Sequence, residues 1–161
     1  AQEPEYRLQD GPSEIVDYVI AYAGPEVISV RFTKSVEALG AANVTNTLNA
    51  VTVLMEDGRL LRAEDVFRGG SGWENFITDR AVQSISREFA DYTNFPPRRD
   101  VYETATTPHL WLVTERGLTI LFPPLSFGGS HADGGAEVTI PWTDLRPYLN
   151  PAARAPIRAS A

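Results

Sequence analysis

Apolar residues recur along the chain with two distinct periods. Residues 14–22 are rich in Ile, Val and Tyr. Residues 27–36 alternate, with Ile28, Val30 and Phe32 on one face and Ser29, Arg31 and Thr33 on the other. A period of two puts successive side chains on opposite faces, the pattern of a half-buried strand. Ala23-Gly24-Pro25-Glu26 between the two segments is a turn, so they predict a hairpin. A small, polar loop at residues 40–46 precedes a third strand over residues 47–55. Asp57-Gly58 then signals a second hairpin, because both residue types tolerate the positive φ of a tight turn. Residues 59–62 form its return strand. Residues 63–67 read as a helical turn that docks Val66 and Phe67 on the core.

The period then changes. Trp73, Phe76, Ile77, Ala81, Ile85 and Phe89 recur at helical spacing and make one apolar stripe. Asp79, Arg80, Gln83, Arg87 and Asp91 fall mostly on the opposite side. Ser71 and Glu74 have the spacing of a capping box, which predicts a start near Ser71. Pro96-Pro97 prevents continuation. Residues 109–114 and 118–122 predict two more strands, joined by Glu115-Arg116-Gly117. Residues 137–140 predict a last strand, and residues 141–146 lead into a short C-terminal helix that ends by Pro151. Trp73 and Trp111 belong to the predicted core, and Trp142 and Tyr148 pack the last helix down.

Hairpins interrupted by one long helix predict an α+β fold. Its sheet is mostly antiparallel and hairpin-rich, packed by the long helix and a short C-terminal helix. The connections are too short for repeated βαβ crossovers. The organisation is a polar arm over residues 1–13, one domain over 14–150 and a flexible tail of Ala, Arg and Pro over 151–161.

Composition narrows the function classes. A chain of 161 residues builds one core without bridges or metal. The net charge of −7 argues against nucleic acid and anionic membranes and suits a cationic partner, although many proteins carry such charge only for solubility. The basic side is nearly all arginine, with Lys34 the single lysine. There is no cysteine, which removes thiol catalysis and disulfides. No apolar run approaches the ~20 residues of a membrane-spanning helix. Ala1-Gln2-Glu3-Pro4 resembles the sequence that follows a signal-peptidase cut, which predicts a periplasmic or secreted protein.

Candidate chemistry is sparse. A Ser-His-acid triad would need His109 or His131, and no Gly-x-Ser-x-Gly elbow surrounds a serine. His131, Asp133 and Glu137 offer metal-ligand atoms, but their spacing matches no zinc or calcium motif, so they read as a polar loop. Gly69-Gly70-Ser71-Gly72 precedes a helix without the lysine of a phosphate loop. The reading assigns no catalytic residue, no metal and no cofactor. What stands out is the loop over residues 123–135, with four glycines and two prolines. Loops of that length in a compact domain are functional or disordered. Its Phe127, Ser130, His131 and Asp133, with Glu137 beyond it and Asn43 in the earlier loop, are the candidate binding residues. Phe127 would anchor a partner, and Asp133 and Glu137 would meet its positive charge.

Three segments carry a resemblance. Residues 54–67 resemble a D-x-x-x-G-x-x-L-x-x-x-D-x-F pattern, residues 110–122 an F-x-L-T-x-x-G-L-x-x-x-F pattern, and residues 138–145 an I-P-[YW]-x-x-L pattern. In this order they resemble the RsiV-like extracytoplasmic domain, found at the C-terminal end of a lysozyme-sensing anti-sigma factor and beside the catalytic domain of a peptidoglycan deacetylase. The resemblance spans roughly residues 15–150 and implies an extracytoplasmic α/β binding domain without enzyme activity. The Gly-Gly-Ala-His loop of that family is here Leu39-Gly40-Ala41-Ala42-Asn43, without the histidine. Three readings follow: a non-catalytic exported domain that binds a protein or cell-envelope ligand, a lysozyme inhibitor or sensor, and a peptidoglycan-associated enzyme or glycan-binding protein.

Overall fold

A computed structural model describes residues 13–37, 44–88, 95–124, 135–154 and 156–157. The fold is α+β with two antiparallel sheets. Sheet 1 is the meander β1 (Ser13–Ala23), β2 (Val27–Glu37), β3 (Thr45–Leu54) and β4 (Arg59–Leu60). Sheet 2 is the meander β5 (Trp111–Val113), β6 (Gly117–Phe122) and β7 (Ala136–Pro141). Between them in sequence come the short helix α1 (Ala63–Val66), the long helix α2 (Trp73–Glu88) and α3 (Arg98–Ala105). The last helix, α4 (Trp142–Leu145), runs into a 3-10 turn at Arg146–Tyr148.

Sheet 2 is the middle layer. One of its faces puts Trp111, Val113, Leu118, Ile120, Val138 and Ile140 into the main core, with Ile77, Ala81 and Ile85 of α2 and Val101 and Ala105 of α3. Its other face puts Leu112 and Leu121 against Leu48 and Ala50 of sheet 1, a smaller second core. All six residues of β6 are buried, which explains their nearly unbroken apolar run. Phe67 stacks on Trp73 with ring centroids 4.4 Å apart, and both meet Trp111 edge-on at 5.6 Å. The two deepest indoles keep their N–H groups satisfied: Trp111 donates to the Ala105 carbonyl at 2.7 Å and Trp142 to the Thr114 carbonyl at 2.9 Å.

The buried face of β2 is not its apolar one. Val27 and Ser29 are fully buried, whereas Ile28, Val30 and Phe32 are only half-buried. The cause is the free edge of β5, which abuts sheet 1. Val113 N–H donates to Ser29 Oγ at 3.0 Å, Ser29 Oγ lies 2.7 Å from Thr52 Oγ1, and Thr52 donates to the Trp111 carbonyl at 3.0 Å. A buried strand edge needs hydrogen-bond partners, and here two hydroxyls provide them. Two hydroxyl residues therefore sit on the inner face of sheet 1 among Val27, Leu48, Ala50 and Leu54, and Ile28, Val30 and Phe32 of β2 point outward.

Several local expectations change. The capping box does not form: Gly72, at φ +80°, stands before a helix that begins at Trp73, and the Ser71 hydroxyl is buried without a hydrogen-bond partner among the described residues. The sequence pattern did not announce α3. The prolines that stop α2 also open this helix, since Pro97 supplies a preset φ just ahead of its first turn. His109 lies exposed in a 3-10 turn, Pro108–Leu110, and β5 starts only at Trp111. Within the segment expected to be a flexible tail, Ala153 and Ile157 are buried in the main core. The chain before them is tied to α1: Arg68 N–H reaches the Tyr148 carbonyl at 2.9 Å and Asn150 N–H the Val66 carbonyl at 2.8 Å.

Candidate functional site

Among the described residues, the outer face of sheet 1 is the feature that the fold leaves open. Strand register aligns its side chains in rows. Ile20, Val30 and Val51 make one row, and Tyr18, Phe32 and Asn49 the next. Ala23, Ile28, Val53 and Leu60 make a third. Tyr18 and Phe32 touch, with centroids 6.3 Å apart. None of these residues belongs to either core. The face is apolar because β-branched and aromatic residues hold a pleated surface well, yet no core claims it. A contiguous apolar face is the kind of surface that proteins use for contacts with partners.

The edge strand β1 is the extreme case. Ile15, Val16, Tyr18, Val19 and Ile20 are each between 48% and 65% exposed, on both faces of the strand. Its two charged residues lie in its first half: Glu14 pairs with Lys34 at 2.9 Å, and the Asp17 carboxylate accepts the Tyr18 amide at 2.8 Å. The pairing with β2 slips between Ile20 and Tyr22, leaving a bulge. Bulges re-aim side chains and end pairing. Here the bulge borders a cleft of about 470 Å³ between the sheets, lined by Ile20–Ala23, Thr114–Arg116, Thr119 and Thr139. The Thr119 and Thr139 hydroxyls are 2.8 Å apart at its floor.

Of the residues proposed from sequence, Glu137 is described. It is exposed on β7, and its carboxylate is paired with Arg31 of β2, a strut between the sheets. Asn43, Phe127, Ser130, His131 and Asp133 lie outside the described residues. Sequence reasoning passed over the outer face because apolar alternation ordinarily points inward. No signal within β2 could have found it, because its hydrophilic face, Ser29, Arg31, Thr33 and Ser35, is the costlier one to bury and would itself be expected to point outward.

Among the described residues, the shifted ionisations belong to ion pairs. The Asp65 carboxyl is held below its usual 3.8 by two hydrogen bonds from Arg59, both 2.7 Å, opposed by partial burial and helped by the Arg62 amide at 2.8 Å. Arg99 is raised by its hydrogen bond to Glu103. The first pair ties β4 to α1, and the second lies within α3. Among the described residues no group of three His, Asp or Glu could hold a metal ion, and no helix is long and apolar enough to cross a membrane.

No family model matches the chain, and no curated protein matches it significantly. Solved structures do. A DUF3298-family member from Bacteroides fragilis superposes with a TM-score of 0.66 at 13% identity, over 92% of this chain and 57% of its own. A DUF3298-family protein from Pseudomonas aeruginosa gives 0.66 at 14% identity, over 88% and 63%. The chain thus spans about three fifths of the length of either protein. DUF3298 is also the family of the C-terminal domain to which the sequence motifs pointed. What the comparison establishes is the architecture: this chain has the fold seen in DUF3298-family proteins.

Proposed function

We propose that the chain is a non-catalytic, exported binding domain of the RsiV-like family, which recognises a protein or cell-envelope ligand on the outer face of sheet 1. The observation that carries the reading is the uncovered apolar surface of β1, β2, β3 and β4, beside which no reactive constellation was found among the described residues. Family membership and export rest on the sequence motifs, and the neighbours' shared fold is consistent with them. A cationic protein suits the net charge of −7, because complementary charge speeds encounter and sets orientation. Lysozyme, a basic protein, is therefore the first probe.

The test is calorimetric titration of basic lysozyme into the domain at low and moderate salt, with Phe32→Thr and Leu60→Lys as face variants. Binding that survives moderate salt and weakens at least tenfold in both variants, with unchanged melting temperatures, supports the reading. Binding that disappears with salt is charge attraction alone. Tight binding indifferent to both variants would move the site elsewhere, and turnover of peptidoglycan fragments would replace binding with catalysis.

A further inference from the structure

From the geometry of β1 we infer that two copies of this chain associate through that strand, antiparallel about a two-fold axis at Tyr18, so that two copies of sheet 1 become one continuous eight-stranded sheet. This goes beyond the ligand reading, because it concerns the edge of the sheet rather than its outer face and needs no ligand.

Among the described residues β1 is the terminal strand of sheet 1, and its 11 residues pair on one side only. Edge strands are usually blunted by charge, proline or shortness. β1 is long, has no proline, and from Tyr18 to Ile20 carries no charge. Its large side chains are exposed on both faces, so a neighbouring strand would cover both rows at once. The five exposed side chains present on the order of 500 Å² per protomer and about 1,000 Å² for two, so coverage of their flanks together with the two backbone edges is the scale of a weak, concentration-dependent interface.

Charge selects the occupant and its register. A two-fold axis perpendicular to the sheet requires residue i to face residue j with i and j of the same parity, since opposed side chains share a face. Centring on Asp17 would set two carboxylates directly opposite each other, which is destabilising. Centring on Tyr18 sets Asp17 opposite Val19 of the second copy and Val16 opposite Ile20. The outer face then gains an uninterrupted aromatic row: Phe32 and Tyr18 of one copy, then Tyr18 and Phe32 of the other. Glu14 stays paired with its own Lys34. The bulge after Ile20 lies beyond the Val16–Ile20 stretch on either side and ends the pairing there.

The chain has no cysteine, so single introduced thiols report the register unambiguously. In this arrangement the two residues 18 stand about 5 Å apart at Cα, within disulfide reach. The two residues 14 stand roughly 27 Å apart, eight residues along the strands. Sedimentation equilibrium of the unmodified chain without ligand should give a dimer at micromolar concentration. Mild oxidation should convert Tyr18→Cys to a disulfide dimer and leave Glu14→Cys monomeric under denaturing electrophoresis. Val19→Lys should shift the association at least tenfold towards monomer. A monomer up to several hundred micromolar, equal crosslinking at both positions, or a dimer that crosslinks at neither would each overturn the inference. All three readouts are made without ligand, so their failure is separate from failure of lysozyme or another ligand to bind.

Discussion

Replacing Ser29 by alanine should cost more than its size suggests. The proton directions in the buried chain follow from chemistry. The Trp111 carbonyl only accepts, so Thr52 donates to it. The Val113 amide only donates, so Ser29 accepts from it. Ser29 must then give its own proton to Thr52 across the 2.7 Å contact. The four groups form one directed relay, Val113 N–H to Ser29 to Thr52 to Trp111 C=O, with Ser29 and Thr52 both buried. Ser29→Ala removes two bonds and leaves a buried amide without a partner, which costs about 2 kcal/mol. In a chain of this size that is a fall of roughly 4–8 °C in Tm. Thr52→Val should cost about 1–2 kcal/mol by orphaning the Trp111 carbonyl. Because the two hydroxyls share one relay, the double variant should fall short of additivity by about 0.5–1.5 kcal/mol. Urea unfolding followed by tryptophan fluorescence measures all four corners of the cycle, with the m-value checking that the unfolding transition stays comparable. A Ser29→Ala effect below about 0.5 kcal/mol, with additive costs, would refute the claim that these hydroxyls hold the edge of β5.

Two further outcomes test the architecture. A Cβ at Gly117 would fall inside the contact distance of the Ile140 carbonyl, backbone against backbone; Gly117→Ala should therefore cost about 3 kcal/mol, the upper end of overpacking. Gly58 meets nothing but needs φ +63°, so Gly58→Ala should cost only about 1 kcal/mol; equal losses in thermal melts would contradict the assignment of separate causes. Asp65 is ionised more readily in the folded state, so its contribution is present above the usual 3.8 and lost as pH falls through its lowered folded value. Asp65→Asn should thus be less stable than the unmodified chain at pH 7, and the gap should close below pH 3.8; a gap that ignores pH across that window would deny the role of the Arg59 pair.

Much of the fold is legible where local pattern and tertiary packing agree. Asp57-Gly58 turns β3 into β4, the stripe of α2 buries Trp73, Ile77, Ala81 and Ile85, and all three tryptophans are interior. Legibility fails where a distant partner decides. The sequence of β2 offers no hint that Ser29 will meet the edge of β5, which lies 84 residues away. For the same reason the strands do not announce that they divide into two sheets. Ser71 looks like a cap, but a left-handed Gly72 intervenes. Ile157 sits among alanines and arginines with no periodicity, and only the finished core shows that it fills a place there. The candidate site was hidden by the same mechanism. An outward apolar face and an inward one have identical alternation, and the choice rests on the hydroxyls opposite.

That choice has a mechanical consequence. The relay at Ser29 and Thr52, the Arg31–Glu137 strut and the packing of Leu48 and Ala50 on sheet 2 fix one part of sheet 1. Towards the other end, residues 13–16, 33–37 and 45–47 contribute to neither core among the described residues. Among the described residues this stretch is held mainly by cross-strand hydrogen bonds, so sheet 1 has the form of a cantilever. Few buried contacts mean a low free energy of local opening, so thermal bending amplitude grows with distance from the clamp. Any body that grips the free span must first still it, and that entropic toll lowers affinity relative to the area covered. In exchange, a compliant sheet can match its twist to the surface it meets.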